Sequence, residues 1–423
     1  MLKEFIRTMI EICKHDECTG CAACRDICPK QCITMVTDDL EALHPRINQD
    51  TCVDCKLCQK TCPNNRDVDF APTQKVWAAW SKDDLVRLSS ASGGIACELY
   101  KYWLAKGGVA TGVVFDRDKG CHFILIEDEK VLGDVQNSKY TFSNTDGIYK
   151  KVREKLLLGI PVLFIGVPCQ VAGLYGFLKK EYSNLTTVDI ICHGMPPATY
   201  LDQHIKSIEK KEKEQTYRLF FRDPKYYTYT YTFTLYNMAN KKPFYKKKVL
   251  NTDNYQLGYH RSLIYRENCY HCHYARNERV GDLTLGDFSG LGKLAPFKNS
   301  KYNVSCVLQN TEKGAILINS ISDKIYKEER PRDEAFLYET QLKSPSLKHV
   351  NRTIFEEKYK KTKDFEMASN VALKQEKTKA LKAKSIENTK AVIRSLLPKR
   401  IKLFLRKTFN SNTSVKFTDN FKI

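Results

Sequence analysis

Two cysteine runs limit what this chain can become more than any other feature. Cys18-Thr-Gly-Cys21-Ala-Ala-Cys24-Arg-Asp-Ile-Cys28-Pro29 is followed 34 positions later by Cys52-Val-Asp-Cys55-Lys-Leu-Cys58-Gln-Lys-Thr-Cys62-Pro63. Cysteines this close suit thiolates converging on metal better than a ladder of disulfides, and the total of 17 is odd. The spacing C-x2-C-x2-C-x3-C-P supplies three thiolates from one run and the fourth from the other to each of two 4Fe-4S cubanes. By that crossing rule one cluster takes Cys18, Cys21, Cys24 and Cys62, and the other takes Cys52, Cys55, Cys58 and Cys28. A pair of four-cysteine zinc sites is the alternative, but such sites use two separated C-x2-C knuckles. Strand-like stretches at Ile33 to Val36 and Pro45 to Asn48 separate the runs, as in two copies of one small unit.

The 423 residues, 42% hydrophobic and 28% charged, exclude a wholly disordered chain. The longest apolar stretches, such as Ile160 to Val167, fall far short of the roughly 20 residues that span a bilayer. Lys3, Glu4, Arg7 and Glu11 interrupt the start, so no secretory leader is expected there and the expected location is cytoplasmic. The net charge of +20 is uneven: residues 1–70 hold 9 basic and 12 acidic side chains, and residues 371–423 hold 14 and 3. No nucleic-acid motif accompanies the charge, so no nucleic-acid partner is expected. Arg394 to Lys407 mixes apolar and basic residues densely, a composition suited to lying on an anionic membrane surface at the inner face.

The organisation expected is α+β: an N-terminal ferredoxin-like two-cluster domain at 1–70, an α/β domain at 71–350 and a basic helical tail at 351–423. Asn64 to Pro72 is polar and aperiodic and is expected to be a linker. Val76 to Trp80, Val109 to Phe115, Phe123 to Glu127, Pro161 to Ile165 and Thr187 to Ile191 are expected to be strands. Ile95 to Ala105, Gly147 to Leu158, Gln170 to Lys180 and Thr199 to Lys211 have helical spacing. Tyr226 to Tyr236 alternates as a strand with one buried face should, and pairing with Lys246 to Leu250 makes a hairpin.

Among the other nine cysteines, Cys169 follows one expected strand, Cys192 ends another, and Cys269 and Cys272 form a C-x2-C. Strand ends share the crevice where α/β sheets bind ligands, so these four suit a third cluster, a zinc ion or a set of free thiols. His193, His271 and His273 flank them and are able to stand in as ligands. Cys13, Cys32, Cys97, Cys121 and Cys306 have no partner at ligand spacing and are expected in the core. Ser89-Ser-Ala-Ser-Gly-Gly94 precedes a helix, where Ser92 is able to cap and Gly93 and Gly94 let backbone N–H groups approach an anion. Ser138-Lys-Tyr-Thr-Phe-Ser143 offers a cation, hydroxyls and an aromatic face.

Taken together, Ser89 to Ile95, Ser138 to Ser143, Gly166 to Leu174, Asp189 to Gly194, Arg266-Glu-Asn-Cys-Tyr-His-Cys272 and Arg279-Val-Gly-Asp-Leu-Thr-Leu-Gly-Asp-Phe288 resemble the coenzyme F-420 hydrogenase/dehydrogenase beta-subunit family. The version resembled is the one fused to a two-cluster ferredoxin. The resemblance implies an α/β FAD-binding domain with a further 4Fe-4S cluster, its ligands falling on Cys169, Cys192, Cys269 and Cys272. It makes Ser92, Gly93, Gly94, Ser138, Lys139, Tyr140, Pro168 and Gln170 expected flavin contacts. Arg266, Arg276 and Arg279 are candidates for gripping an anionic donor or the flavin pyrophosphate. The family commonly continues Gly-Asp-Phe with Trp-Gly, whereas Ser289-Gly290 stands here. The implied activity is an oxidoreductase exchanging electrons between a hydride donor or acceptor, deazaflavin or other, and one-electron carriers such as a ferredoxin or a partner enzyme. The alternative is an electron-transfer or adaptor subunit with clusters and no substrate site.

Overall fold

The computed structural model describes residues 11–249 and 252–382. Near the N-terminus β1 (Ile33–Thr37) and β2 (Leu43–Ile47) form an antiparallel hairpin flanked by one-turn helices at Ala23–Ile27 and Leu57–Thr61. The internal repeat is visible in the backbone: Ala22 and Lys56, 34 positions apart, are both left-handed, with φ of 61° and 58°. This conformation is uncommon outside glycine. Here it ends each tight cysteine loop and starts the short helix that carries the third cysteine of the run.

The α/β part is built on β3 (Lys75–Ser81), β4 (Val109–Asp116), β5 (Gly120–Ile126), β6 (Val162–Gly166), β7 (Leu185–Ile190), β8 (Thr216–Phe220), β9 (Thr232–Asn237), β10 (Pro243–Lys248), β11 (Leu283–Asp287), β12 (Ser305–Gln309) and β13 (Ile325–Arg330). Eight of these form one mixed sheet in the order β13-β3-β12-β11-β7-β6-β4-β5, with β11, β7, β6 and β4 parallel at its centre. All of β6 is buried. Its Val162 and Phe164 pack with Val171 and Leu174 of the helix Pro168–Leu178, while Leu163 and Ile165 pack with Ile95 and Leu99 of the helix Ile95–Ala105 on the other face. Two-sided cover of this kind explains an unbroken apolar strand. Helices at Ile148–Leu157 and Ala198–Glu212 complete the layers.

Three sequence expectations change. The Tyr226 to Tyr236 stretch is only half strand, because two 3-10 turns, Pro224–Tyr226 and Thr228–Thr230, precede β9. Tyr227 and Tyr231 take φ of 63° and 49°, which a strand excludes. The hairpin itself forms, with Lys246 opposite Thr234 and Lys248 opposite Thr232. The polar stretch 64–72 is anchored at its end, since Ala71 and Arg279 exchange backbone hydrogen bonds of 2.8 Å in both directions.

The tail expected from 351 does not begin there. Helices Arg352–Thr362 and Phe365–Ala372 bury Phe355, Tyr359, Phe365, Ala368 and Ala372 in one core with Tyr200, Phe221, Phe233 and Tyr255. The lysines that colour this segment occupy its outward face, while the apolar positions recur every three or four residues. Arg394 to Lys407 lies outside the described residues. Among the described residues no helix is long and apolar enough to cross a membrane.

Candidate metal centres

Each cysteine run wraps a small apolar cavity, and the two runs cross between the cavities. Cys18, Cys21, Cys24 and Cys62 line one of them with Ile12, Met35 and Pro45. Cys28, Cys52, Cys55 and Cys58 line the other with Ile33, Ile47 and Val53. The Ala23–Ile27 helix puts Cys24 into the first cavity and ends on Cys28, which turns toward the second; Leu57–Thr61 does the reverse with Cys58 and Cys62. Four soft sulfurs in an apolar wall are the donor set that a 4Fe-4S cubane requires. A fifth cysteine lines each cavity: Cys13 in the first and Cys32 in the second. Cys97, Cys121 and Cys306 are buried, as expected of core residues.

A further set of four forms where β6 and β7 end. Cys169 follows β6 at the start of the helix Pro168–Leu178, Cys192 follows β7, and Cys269 and Cys272 belong to the 3-10 segment Glu267–His271 and its end. Burial pushes the Cys169 thiol well up, and the charges of Cys272, Cys192 and Cys269 act in the same direction. Burial likewise pushes Cys192 up to about 12, followed by Cys269 and Cys272. Four clustered thiols, one buried and three half-buried, with Cys169, Cys192 and Cys272 pushed up by burial and by their neighbours' charges, form a site that a cation would relieve by displacing protons.

This inner set lies directly behind the first cavity. One turn beyond Cys169 on the same helix face, a Cβ added to Gly173 would stand 3.0 Å from the Cys21 sulfur, and one on Gly176 would press on the Thr61 carbonyl. Glycine inside a helix costs about 1 kcal/mol against alanine. Here it allows the helix backbone to approach the cysteine loops. Gly176→Ala is expected to force the helix off Thr61 at a cost of about 1–3 kcal/mol. Faster proteolytic clipping within 64–72 would register this, and unchanged clipping would refute it.

Arg266 stands between the two sets. It is buried, its Nη1 donates to the Thr19 carbonyl at 2.5 Å, its guanidinium stacks 4.4 Å from the Phe142 ring centre, and its Nε has no partner. Among the described residues it joins no ion pair. Burial raises the Cys21, Cys169 and Cys192 thiols, and the Arg266 charge opposes that rise at all three. A buried guanidinium without an anion costs several kcal/mol; cysteinates ligating metal on both sides would supply the missing negative charge.

The remaining expected contacts divide clearly. Arg279 is not free to grip a ligand, because it is fully buried with Asp189 at 2.9 Å. Arg276 forms an exposed pair with Glu278 at 2.9 Å. His271 is exposed and faces Glu267 at 3.3 Å, and His193 lies 3.7 Å from Glu339. His15, Asp38 and His44 bring one ligand atom each within 4.8 Å of the others. The His15 and His44 rings, however, stack at 3.8 Å and 11°, and parallel imidazole planes do not aim their lone pairs at one ion. Asp38 instead accepts from His44 at 3.2 Å and orients it beside Cys18.

Residues 161–335 match the family described as the C terminus of the beta subunit of coenzyme F420 hydrogenase/dehydrogenase. This stretch belongs to that beta-subunit family. Residues 17–65 match the 4Fe-4S dicluster domain, so the chain is an iron–sulfur electron-transfer protein that couples a dicluster ferredoxin to a beta-subunit domain. Among solved structures, a chain of the xenon-derivatised F420-reducing NiFe hydrogenase complex from Methanosarcina barkeri is similar at 16% identity, over 62% of this chain and 85% of that one, with a TM-score of 0.40. No curated protein matches the chain.

Within the beta-subunit domain and its flanks, most expected flavin contacts already have protein partners. Ser92 does not cap the following helix; its hydroxyl donates to the Val304 carbonyl at 2.9 Å, and Gly94, with φ of 85°, takes the cap position. Gly93 is pressed between Ala79 and Ser305, so its missing side chain serves strand packing. Lys139 is half-buried and gives its ammonium to the carbonyls of Asp134, Gln136 and Asn137 at 2.8, 3.0 and 3.2 Å, while desolvation draws it down to about 8. Ser138 is engaged through its backbone, whose N–H donates to the Asn137 side chain at 3.0 Å. Pro168 opens the helix that carries Cys169, and Gln170 donates to the Ser143 carbonyl at 3.2 Å, tying Ser138 to Ser143 to that helix. Tyr140 stacks on Tyr259 at 4.7 Å, and Tyr259 meets Tyr265 at 5.3 Å. Beside Tyr140, the half-buried His260 has an enclosed Nε2 with no partner, and burial holds it neutral, down to about 3. Ser289, which follows Phe288, donates to Glu339 at 2.8 Å.

Proposed function

We propose that the chain is an oxidoreductase subunit passing electrons between a two-electron partner, at a flavin in the beta-subunit domain, and one-electron carriers that dock on the ferredoxin. The observation that carries this reading is Arg266, one buried cation facing cysteines of both the inner set and the first ferredoxin cavity. Cys269 N–H donates to the Arg266 carbonyl at 3.0 Å, and the Arg266 side chain donates to Thr19 inside the first cysteine loop. A continuous covalent and hydrogen-bonded path thus joins the two sets. The order of the relay is then the inner set, the cavity of Cys18, Cys21, Cys24 and Cys62, the cavity of Cys28, Cys52, Cys55 and Cys58, and the surface, where Cys55 and Val53 are exposed. A redox protein such as a ferredoxin or a partner enzyme would exchange electrons there.

A bound flavin supplies the conversion between hydride and single-electron steps. The neutral His260, with its orphaned Nε2 amid Tyr140, Tyr231 and Tyr259, supports a polar ring system being held near the inner set. Tyr140, Tyr259 and Tyr265 would exclude water between that ring and Cys192. A relay without flavin is the second reading, favoured by the internal engagement of Ser92, Gly93, Lys139 and Gln170.

Oxygen-free purification followed by iron, sulfide and flavin assay tests both. The flavoprotein reading expects about twelve irons and one released flavin per chain. The same iron without flavin favours the relay, and about eight irons would remove the inner cluster. Reduction of the loaded protein with deazaflavin, nicotinamide or ferredoxin donors would then identify the two-electron partner.

A further inference from the structure

The two fifth cysteines occupy equivalent places that the sequence repeat does not explain. Cys13 lies within hydrogen-bonding reach of Cys18 and Cys62. Cys32 lies within reach of Cys28, at 3.4 Å between sulfurs, and of Cys52. Cys18 and Cys52 are the first cysteines of their runs, and Cys62 and Cys28 are the last cysteines of the opposite runs. Each fifth thiol therefore touches the first and the crossing member of its own set. Yet Cys13 precedes the first run by five residues and Cys32 follows that same run by four, and the 34-residue offset would map them onto Ile47 and Arg66. Two unrelated chain segments have brought sulfur to one geometric position, which argues against a filler for apolar space.

We infer that Cys13 and Cys32 are spare ligands, each able to take the place of a primary cysteine on the 4Fe-4S cluster of its cavity. This rests on the dicluster reading of residues 17–65. In the exchange the bond from iron to Cys28 breaks as one to the Cys32 sulfur forms. The Cys32 thiol proton passes across the short sulfur contact to the departing Cys28 thiolate, so neither cluster charge nor electron count changes. Cys13 stands in the same relation to Cys62, with the Asn64 amide 3.8 Å from its sulfur to hold it in place.

The test uses the full chain purified without oxygen, with iron and sulfide counted per chain and the reduced clusters followed by EPR. Cys28→Ala is expected to keep the wild-type iron with an altered EPR signal, whereas Cys28→Ala/Cys32→Ala loses about four irons. Cys62→Ala and Cys62→Ala/Cys13→Ala should behave alike in the other cavity, an independent arm should one variant fold poorly. Cys32→Ala and Cys13→Ala alone are expected to keep all iron. If either of these loses a cluster, the residue is a primary ligand and the inference falls; it falls too if Cys28→Ala and Cys62→Ala are each as depleted as their double variants. A wild-type chain with fewer than about eight irons overturns the dicluster reading itself, a distinct failure.

Discussion

Asp189→Ala is expected to be the most damaging single substitution in the chain, destabilising it by about 3–5 kcal/mol and, on the proposal that the inner cysteine set holds a cluster, losing that cluster's iron. Asp189 is fully buried on β7, three residues before Cys192. One carboxylate oxygen accepts from Arg279 at 2.9 Å, and the other accepts from the backbone of Val280 and Gly281 at 3.2 and 3.0 Å. Arg279 in turn donates to the carbonyls of Tyr274 and Arg276 at 3.1 and 3.3 Å and to Thr284 at 3.2 Å. The pair therefore fastens the strand leading to Cys192 to the loop that follows Cys272. Alanine would leave the buried Arg279 charge without an anion, and its Nη2 and two backbone N–H groups without an acceptor, the arrangement that costs most in a protein interior. Asp189→Asn keeps an acceptor without the charge and should fall between. Urea unfolding measures the first effect, and iron per chain measures the second, with the ferredoxin irons retained. An Asp189→Ala chain within about 1 kcal/mol of wild type would show that the pair is not what holds this junction.

The second large effect is expected at His204, and it carries a pH signature. His204 on the helix Ala198–Glu212 donates to Asp253 at 3.0 Å and to Glu366 at 2.5 Å. Burial alone would depress its basicity, but the two carboxylates hold it up at about 10 against an ordinary 6.5. Burial would raise Asp253, but the His204 charge holds it down at about 2 against 3.8. The imidazolium contribution is therefore complete below pH 6.5 and lost as pH rises through about 10, while the Asp253 contribution is present above 3.8 and lost as pH falls through about 2. His204→Gln is expected to cost about 3 kcal/mol or more near pH 6, because it leaves the buried Asp253 and the half-buried Glu366 without their shared cation. The gap between variant and wild type should narrow steadily toward pH 10. A gap independent of pH over that range would mean that His204 is neutral in the fold.

These two sites illustrate what the sequence concealed. Asp189 and Arg279 are 90 residues apart, and nothing in their local patterns pairs them, so Arg279 looked like a hand for an anionic ligand when it is a buried strut. The helices from Arg352 to Ala372 looked like a solvated basic tail because lysine dominates their composition; the spacing of Phe355, Tyr359, Phe365 and Ala368 was the signal that contradicted it. Cys13 and Cys32 passed for core residues because neither stands at C-x2-C or C-x3-C spacing from its near neighbour, Cys18 or Cys28, and the second neighbour of each, Cys62 or Cys52, is distant in the chain. Ser92, Gly93 and Lys139 carried motif residues whose polar groups the fold turned inward.

What the amino-acid order determined alone is the chemistry of the two ferredoxin cavities, because a tight loop brings its own cysteines together whatever surrounds it. It determined likewise the alternation of strand and helix that builds a parallel sheet centre with both faces covered. Only the tertiary structure decided that β6 and β7 deliver Cys169 and Cys192 to the loop of Cys269 and Cys272, and that two glycines of one helix allow this set to stand against the first ferredoxin cavity. Local spacing governs groups a few bonds apart; where sulfurs and a lone buried arginine from remote segments meet is set by how the layers pack.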